Sequence, residues 1–271
     1  MRIPIKAITA AALIMAAAPN LLPANCDKQA MWVWNSSTVL ASANNRNKLL
    51  NSAIADGFTD IYIYLDDATY VSEKTDLQAL ISRASCNNIK VWGMEGYRGY
   101  YSDTYGPSGL YAAVNAMLTY NSAVATNEKF YGFHTDMEPQ DINGDPDTPL
   151  HTFHNGIKDS LLSTTAGSGV WKSTQKLDRE YLMRDWLDIQ KTVSDLVHAS
   201  GLKAGGSFPS WPDDYYGEPV GVTWNSITQP VYKHMLTLMD DYVVMSYNVD
   251  PVNAGNVQSQ YIGNSLVSPD G

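Results

Sequence analysis

Basic residues are scarce in this chain. Its 271 residues carry 18 Lys and Arg against 28 Asp and Glu, a formal net charge of −10. That balance repels phosphate backbones and anionic lipid, so neither nucleic acid nor a membrane surface is expected as a partner. Long apolar runs are scarce too. The one near the start, Ala7 to Ala18 behind Arg2 and Lys6, falls short of the roughly 20 apolar residues a bilayer span needs, and no later run is longer. With its basic flank it reads as a secretory signal over residues 1–24, which makes the protein secreted and extracellular. Losing Arg2 and Lys6 with that segment takes −10 to −12. There is no HExxH or paired-His spacing, so no metal is assigned, and no Gly-rich phosphate turn after an early strand, so no cofactor is expected. Phenylalanine is outnumbered, five against 17 Tyr and seven Trp. Flat rings with polar tips suit stacking against sugars, although cores use them as well.

Only two cysteines are present, Cys26 and Cys86. In an oxidising compartment they are expected to pair, because one precedes the first strand and the other the third, which places both at the same end of a barrel. Cys26 directly after a signal also admits a lipoprotein reading, which Asn25 fits poorly. Asn35-Ser36-Ser37 is a glycosylation sequon.

What is present is an alternation of strand and helix. Strands are expected at Met31–Trp34, Asp60–Leu65, Ile89–Met94, Phe130–Glu138, Leu202–Phe208 and Asp241–Asn248. Helices are expected at 45–56 with Gly57 as a stop, from a capping box at Thr75 to Gln78, over 108–125, over 178–200 closed by Gly201, and over 228–239. Repeated strand–helix units imply a parallel sheet with crossover helices. Asn35, Asp66, Asp67, Glu95, Glu138, Trp211 and Asn248 each follow a strand, as residues on the active face of a (β/α)₈ barrel do. The fold expected over 25–271 is therefore an α/β TIM-type barrel of about six βα units. The 23 residues after Asn248 hold less than the roughly 30 residues of one further βαβ unit, so the barrel is expected to be incomplete, by truncation of the sequence. Residues 139–178 form a long Gly/Asp/Ser/Thr-rich excursion.

The chemistry concentrates in Phe130-Tyr131-Gly132-Phe133-His134-Thr135-Asp136-Met137-Glu138-Pro139. Side chains alternate along a strand, so His134, Asp136 and Glu138 share one face. Ionisable groups on an otherwise apolar strand are costly to bury. Two nearby carboxylates push their pKa values apart, giving an acid beside an ionised partner, the arrangement glycosidic cleavage needs. A salt-bridged strand end is the plainer reading of the same residues.

This strand resembles family 18 glycoside hydrolases, the chitinase-like barrels, whose fourth strand reads Asp-Gly-x-Asp-x-Asp-x-Glu. Gly132, Asp136 and Glu138 match it; Tyr131 and His134 stand where the first two acids would be. The family's sixth-strand Met-x-Tyr-Asp is similar to Met245-Ser246-Tyr247-Asn248. The resemblance, over about residues 30–250, implies Glu138 as general acid, Asp136 as the residue orienting a substrate N-acetyl group, and Tyr247 as a hydrogen-bond partner of the intermediate. It implies a carbohydrate substrate, with N-acetylated amino sugars a candidate, and the change at His134 puts chitin itself in doubt. Trp34, Asp66, Asp67, Glu95, His134, Trp211 and Asn248 are the candidate substrate contacts, and the protein is expected to be a monomer.

Three rival readings use the same residues. Glu138-Pro139 also matches the Glu-Pro ending of retaining barrel glycosidases, which need a nucleophile on a seventh strand. His134, Asp136 and Glu138 with His151 or His154 supply metal-type ligands; separately, 141–147 spaces oxygen ligands as calcium loops do, but it lacks the terminal Glu, and a solvated turn is the plainer reading. A non-catalytic sugar-binding barrel would keep the aromatic cleft without the acid. Trp186, at helical spacing with Leu182 and Ile189, is a core residue.

Overall fold

A computed structural model describes residues 28–97, 100, 106–139, 176–209, 214–215, 218–219 and 221–245. The signal segment, Cys26, the 141–147 run, His151, His154, Trp211, Tyr247 and Asn248 lie outside them. Strands β1 (Ala30–Val33), β2 (Asp60–Tyr64), β3 (Lys90–Glu95), β4 (Gly132–Asp136) and β5 (Lys203–Pro209) pair in that order. Two small antiparallel pairs follow, β6 (Asp214–Tyr215) with β7 (Glu218–Pro219) and β8 (Gly221–Trp224) with β9 (Ile227–Pro230). Strand β10 (Asp241–Met245) then pairs with β5 and forms the far edge. All five pairings in the main sheet are parallel. Helices α1 (Ser36–Leu40), α2 (Ala43–Ala55), α3 (Thr69–Ser72), α4 (Lys74–Cys86), α5 (Ser108–Ser122), α6 (Lys176–Ala199) and α7 (Val231–Leu238) intervene.

Strand order separates the two parallel architectures. A doubly wound sheet reverses direction at a switch point; here the order follows the chain from β1 to β10. The sheet also curls. Trp32 on β1 donates its indole N–H to Ser207 Oγ on β5 at 3.2 Å, and the Tyr62 hydroxyl on β2 donates to Asp241 Oδ2 on β10 at 2.6 Å. Such contacts skip intervening strands, which a flat sheet with strands 4.7–4.9 Å apart does not permit. The molecule is a six-stranded stretch of a (β/α)₈-type barrel, the expected class.

The two faces of the sheet bury different things. Outward residues Ile61, Ile63, Val91, Phe133, Ala204 and Phe208 join the main core with helix residues such as Leu77, Met117, Leu182 and Trp186. Inward residues Tyr62, Trp92 and Met94 form a separate small cluster. Glycines make room for these inward rings. A Cβ at Gly132 would lie 2.5 Å from the Trp92 ring and 2.1 Å from the Lys203 carbonyl. At Gly205 it would lie 2.9 Å from His134 Nδ1.

Helix stops follow the expected residues: Gly57 (φ 76°) and Gly201 (φ 72°) adopt the left-handed conformation that glycine tolerates best. Two local expectations need correction. The capping box at Thr75 is absent, because the chain is already helical there. Asp66 Oδ1 accepts from Thr69 N at 2.8 Å to start α3, α4 begins at Lys74, and Gln78 Nε2 donates instead to Glu128 Oε2 at 2.8 Å. The helix expected from 228 begins at Val231, because Ile227–Pro230 pairs with β8 around Asn225 and Ser226, both at positive φ, the pattern of a two-residue hairpin turn. Cys86 is exposed at the end of α4; the pairing expected with Cys26 falls outside the described residues.

The bottom of the barrel supplies a pH prediction. Burial alone would raise the Asp240 carboxyl, but hydrogen bonds from Lys203 Nζ (2.7 Å), His198 Nε2 (2.7 Å) and Ala204 N (3.0 Å) outweigh it and lower the pKa to about 2. A depressed carboxyl stabilises the fold above its unfolded value, near 3.8, and that contribution is lost as pH falls toward 2. Urea unfolding should therefore show a midpoint gap between wild type and Asp240→Asn at pH 5 that narrows toward pH 2. A gap that stays constant over that interval contradicts the assignment.

Candidate active site

The inward face of β4 rises through Gly132, His134 and Asp136, with Glu138 two residues past the strand end. Depth follows sequence. His134 has no exposed surface, while Asp136 and Glu138 are partly buried nearer the C-terminal end of the sheet. Burial raises the Asp136 pKa first and the nearby Glu138 charge raises it further, to about 7. Asp136 Oδ1 is buried and has no hydrogen-bond partner among the described residues. The strand end is tightly seated: a Cβ on Gly96, just past β3, would lie 1.9 Å from the Asp136 carbonyl oxygen, so only glycine fits there.

His134 is held from three sides. Its ring stacks on Tyr62 with centroids 4.0 Å apart, Nε2 lies 2.8 Å from Ser207 Oγ, and Nδ1 lies 3.8 Å from Asp241 Oδ2. Burial first, then the Lys28 charge, push its pKa well below the usual value, so the imidazole is neutral. Lys28 closes this layer from below. Its ammonium pairs with Asp241 and sits 5.1 Å from the Tyr62 ring centroid and 5.0 Å from that of Trp92. Trp92 Nε1 donates to Asp60 Oδ1 at 2.7 Å.

The other candidates are placed as follows. Glu95, at the end of β3, is 5 % exposed and accepts from the Tyr100 hydroxyl. Burial raises its pKa against the hydrogen bonds that lower it. It pairs in register with Thr135, on the outward face, so it sits beside the Asp136 strand but on its helix side. Asp67 is exposed and lines an outer cleft of about 430 Å³ between α3 and α5, with Tyr70 and Lys74. Asp66, also exposed, is engaged in starting α3. Trp34, half exposed beyond β1, packs against Tyr64 at 5.8 Å between centroids. Tyr64 itself is raised to about 12 by burial and by Glu95. Trp211, Tyr247 and Asn248 lie outside the described residues, and so do His151 and His154 of the metal reading. Among the described residues no group of three or more His, Cys, Asp or Glu is arranged to hold a metal ion.

Ser207, Gly96, Lys28 and Asp241 escaped the reading of the sequence. Ser207 alone carried a signal. Past Lys203 it is the one polar position of a strand otherwise built of small and apolar residues, two past Gly205.

The fold and this site describe a barrel with a carboxylate pair at the C-terminal end of its fourth strand. No protein-family profile matches the sequence, and no curated protein does. Among solved structures the chain is similar to a chitinase from Chromobacterium violaceum, at 13% identity and a TM-score of 0.41, over 82% of this chain and 56% of that one. It is similar to a mutant GH18 chitinase from Cycas revoluta in complex with (GlcNAc)4, at 13% identity and a TM-score of 0.45, again over 82% and 56%. It is also similar to a β-1,4-mannanase from the sea hare Aplysia kurodai, at 14% identity and a TM-score of 0.42, over 82% and 71%. The chain thus spans little more than half the length of both chitinases.

Proposed function

We propose that the protein is a secreted glycoside hydrolase, a divergent member of the family 18 type. It would act on a polysaccharide, with N-acetylated amino sugars the first class to test. Glu138 is the general acid that protonates the leaving oxygen. Asp136 assists by holding the substrate acetamido group, whose oxygen attacks the anomeric carbon in place of an enzyme nucleophile, and Tyr247 stabilises the resulting intermediate. This substrate-assisted route departs from the usual two-carboxylate scheme. One observation carries the reading: Glu138 lies two residues past Asp136 at the C-terminal end of β4, and burial first, then the Glu138 charge, raise the Asp136 pKa to about 7. A carboxyl raised in this way changes its protonation near physiological pH.

The test is an assay of the full-length chain on amino-sugar and neutral polysaccharides across pH, with and without chelator. Cleavage of an acetamido polymer, insensitive to chelator, is expected. Activity lost to chelator and restored by zinc would move the case to a metal hydrolase. The pair also bears on stability. Raising a buried carboxyl disfavours the folded state once the carboxyl ionises, so the contribution is lost as pH rises from about 4 to about 7. Asp136→Asn should therefore gain urea stability relative to wild type between pH 5 and 8. An equal midpoint at both pH values contradicts the raised pKa.

A further inference from the structure

We propose that His134 is a positioning residue for Asp136: by accepting the Ser207 hydroxyl proton it denies the Asp136 carboxyl a hydrogen-bond donor from β5. Asp136 pairs with Ser207 on β5, and Ser207 pairs with Val243 on β10, so the three form one inward row. The row below is His134, Gly205 and Asp241. Ser207 Oγ is the one hydroxyl in the upper row. It touches both Trp32 Nε1, at 3.2 Å, and His134 Nε2, at 2.8 Å.

Proton bookkeeping then fixes the roles. The Trp32 indole only donates, so Ser207 accepts from it. A neutral imidazole carries one N–H. Nδ1 faces the Asp241 carboxylate at 3.8 Å, across the space that Gly205 leaves open. A bare nitrogen lone pair there would face a negative charge, so the proton resides on Nδ1 and Nε2 is left as the acceptor. Asp241 Oδ2 already accepts from Lys28 and Tyr62, which accounts for Nδ1 making no hydrogen bond of its own. The single Ser207 proton therefore goes to His134 Nε2, and Ser207 has none left to offer its register partner Asp136. This agrees with the orphaned Asp136 Oδ1. It keeps the carboxyl easily protonated, alongside burial and Glu138.

Glu138, beyond Asp136, is the charge that acts on it; Glu95 at the end of β3 interacts with Tyr64 and Asp66 at the end of β2. Asp241 and Lys28 lie one row below, and Arg179 and Asp185 are buried on α6. Ser207 is the neutral neighbour whose proton can be redirected without adding charge. The positioning role rests on the glycosidase reading; the hydrogen-bond arrangement does not, and the experiment separates the two.

The experiment is a ¹³C-carboxyl NMR titration of the full-length protein, with the Asp136 signal assigned through Asp136→Asn. His134→Phe keeps the ring stacked on Tyr62 and removes the acceptor. The freed Ser207 hydroxyl should turn to Asp136 and lower its pKa by about one unit. Ser207→Ala alone should leave the pKa within about 0.3 unit, since no donor is lost. His134→Phe combined with Ser207→Ala should return the wild-type value. A pKa unchanged in His134→Phe overturns the proposal, and so does a rise of about one unit in Ser207→Ala, which would mean that Ser207 already donates to Asp136. Ser207→Ala decides the matter even where His134→Phe does not fold. None of these outcomes depends on enzymatic turnover.

Discussion

Replacing Glu138 with glutamine should lower polysaccharide cleavage by about 10²-fold or more while oligosaccharide binding persists. Glutamine preserves the shape and the polarity of the side chain but has no proton to transfer at neutral pH. A general acid acts in the transition state and not in the ground state, so kcat falls and KM changes little. The change also removes the charge that raises Asp136. The Asp136 pKa should therefore drop in the variant, and the residual activity should show a pH profile moved to lower pH. Binding is followed by calorimetry on the wild type and the variant, and cleavage by product analysis. Equal rates in the two proteins remove Glu138 from the mechanism. Loss of binding together with activity would assign it to substrate recognition.

Trp186→Ala should destabilise the fold by about 3–5 kcal/mol, the usual cost of deleting a large buried aromatic side chain. Trp186 lies on α6, has no exposed surface, and packs on Phe208 of β5 with ring centroids 5.6 Å apart. Leu182 and Ile189 flank it on the same helix face. Phe208 in turn stacks on Tyr242 of the edge strand β10 at 4.3 Å. The loss should therefore loosen the β5–β10 edge first. Hydrogen exchange should show new opening at 203–209 and 241–245 before it reaches β2 and β3. A urea midpoint close to that of the wild type would mean that α6 is not the main cover of this edge.

Much of this architecture is written in local patterns. Trp186 sits at helical spacing with Leu182 and Ile189, and the structure buries all three. Ile61 and Ile63 alternate with Tyr62, and the two sets fall in separate clusters on opposite faces of the sheet. Strand alternation alone puts His134 and Asp136 on one face, while Glu138 lies two residues past the strand end. What the sequence concealed depends on contacts between distant segments. Lys28 and Asp241 are 213 positions apart, and neither flanks a recognisable motif. The short hairpin before α7 was hidden because Asn225-Ser226 is a weaker turn signal than Asn-Gly, and because the apolar spacing after it continues smoothly into the helix. Glu95 follows its strand as a barrel-mouth residue would, yet register places it on the helix side, against Tyr100. Strand alternation alone sets Glu95 opposite to inward Trp92 and Met94.

The most direct measurement is a crystal structure of Glu138→Gln with a bound amino-sugar oligosaccharide. The account predicts a glycosidic oxygen within about 3 Å of the residue 138 amide, hydrogen-bond range for proton transfer, and the acetamido group of the neighbouring sugar against Asp136. A sugar bound along Trp34 and Tyr64, or in the outer cleft beside Asp67, with no glycosidic oxygen near residue 138, would contradict it.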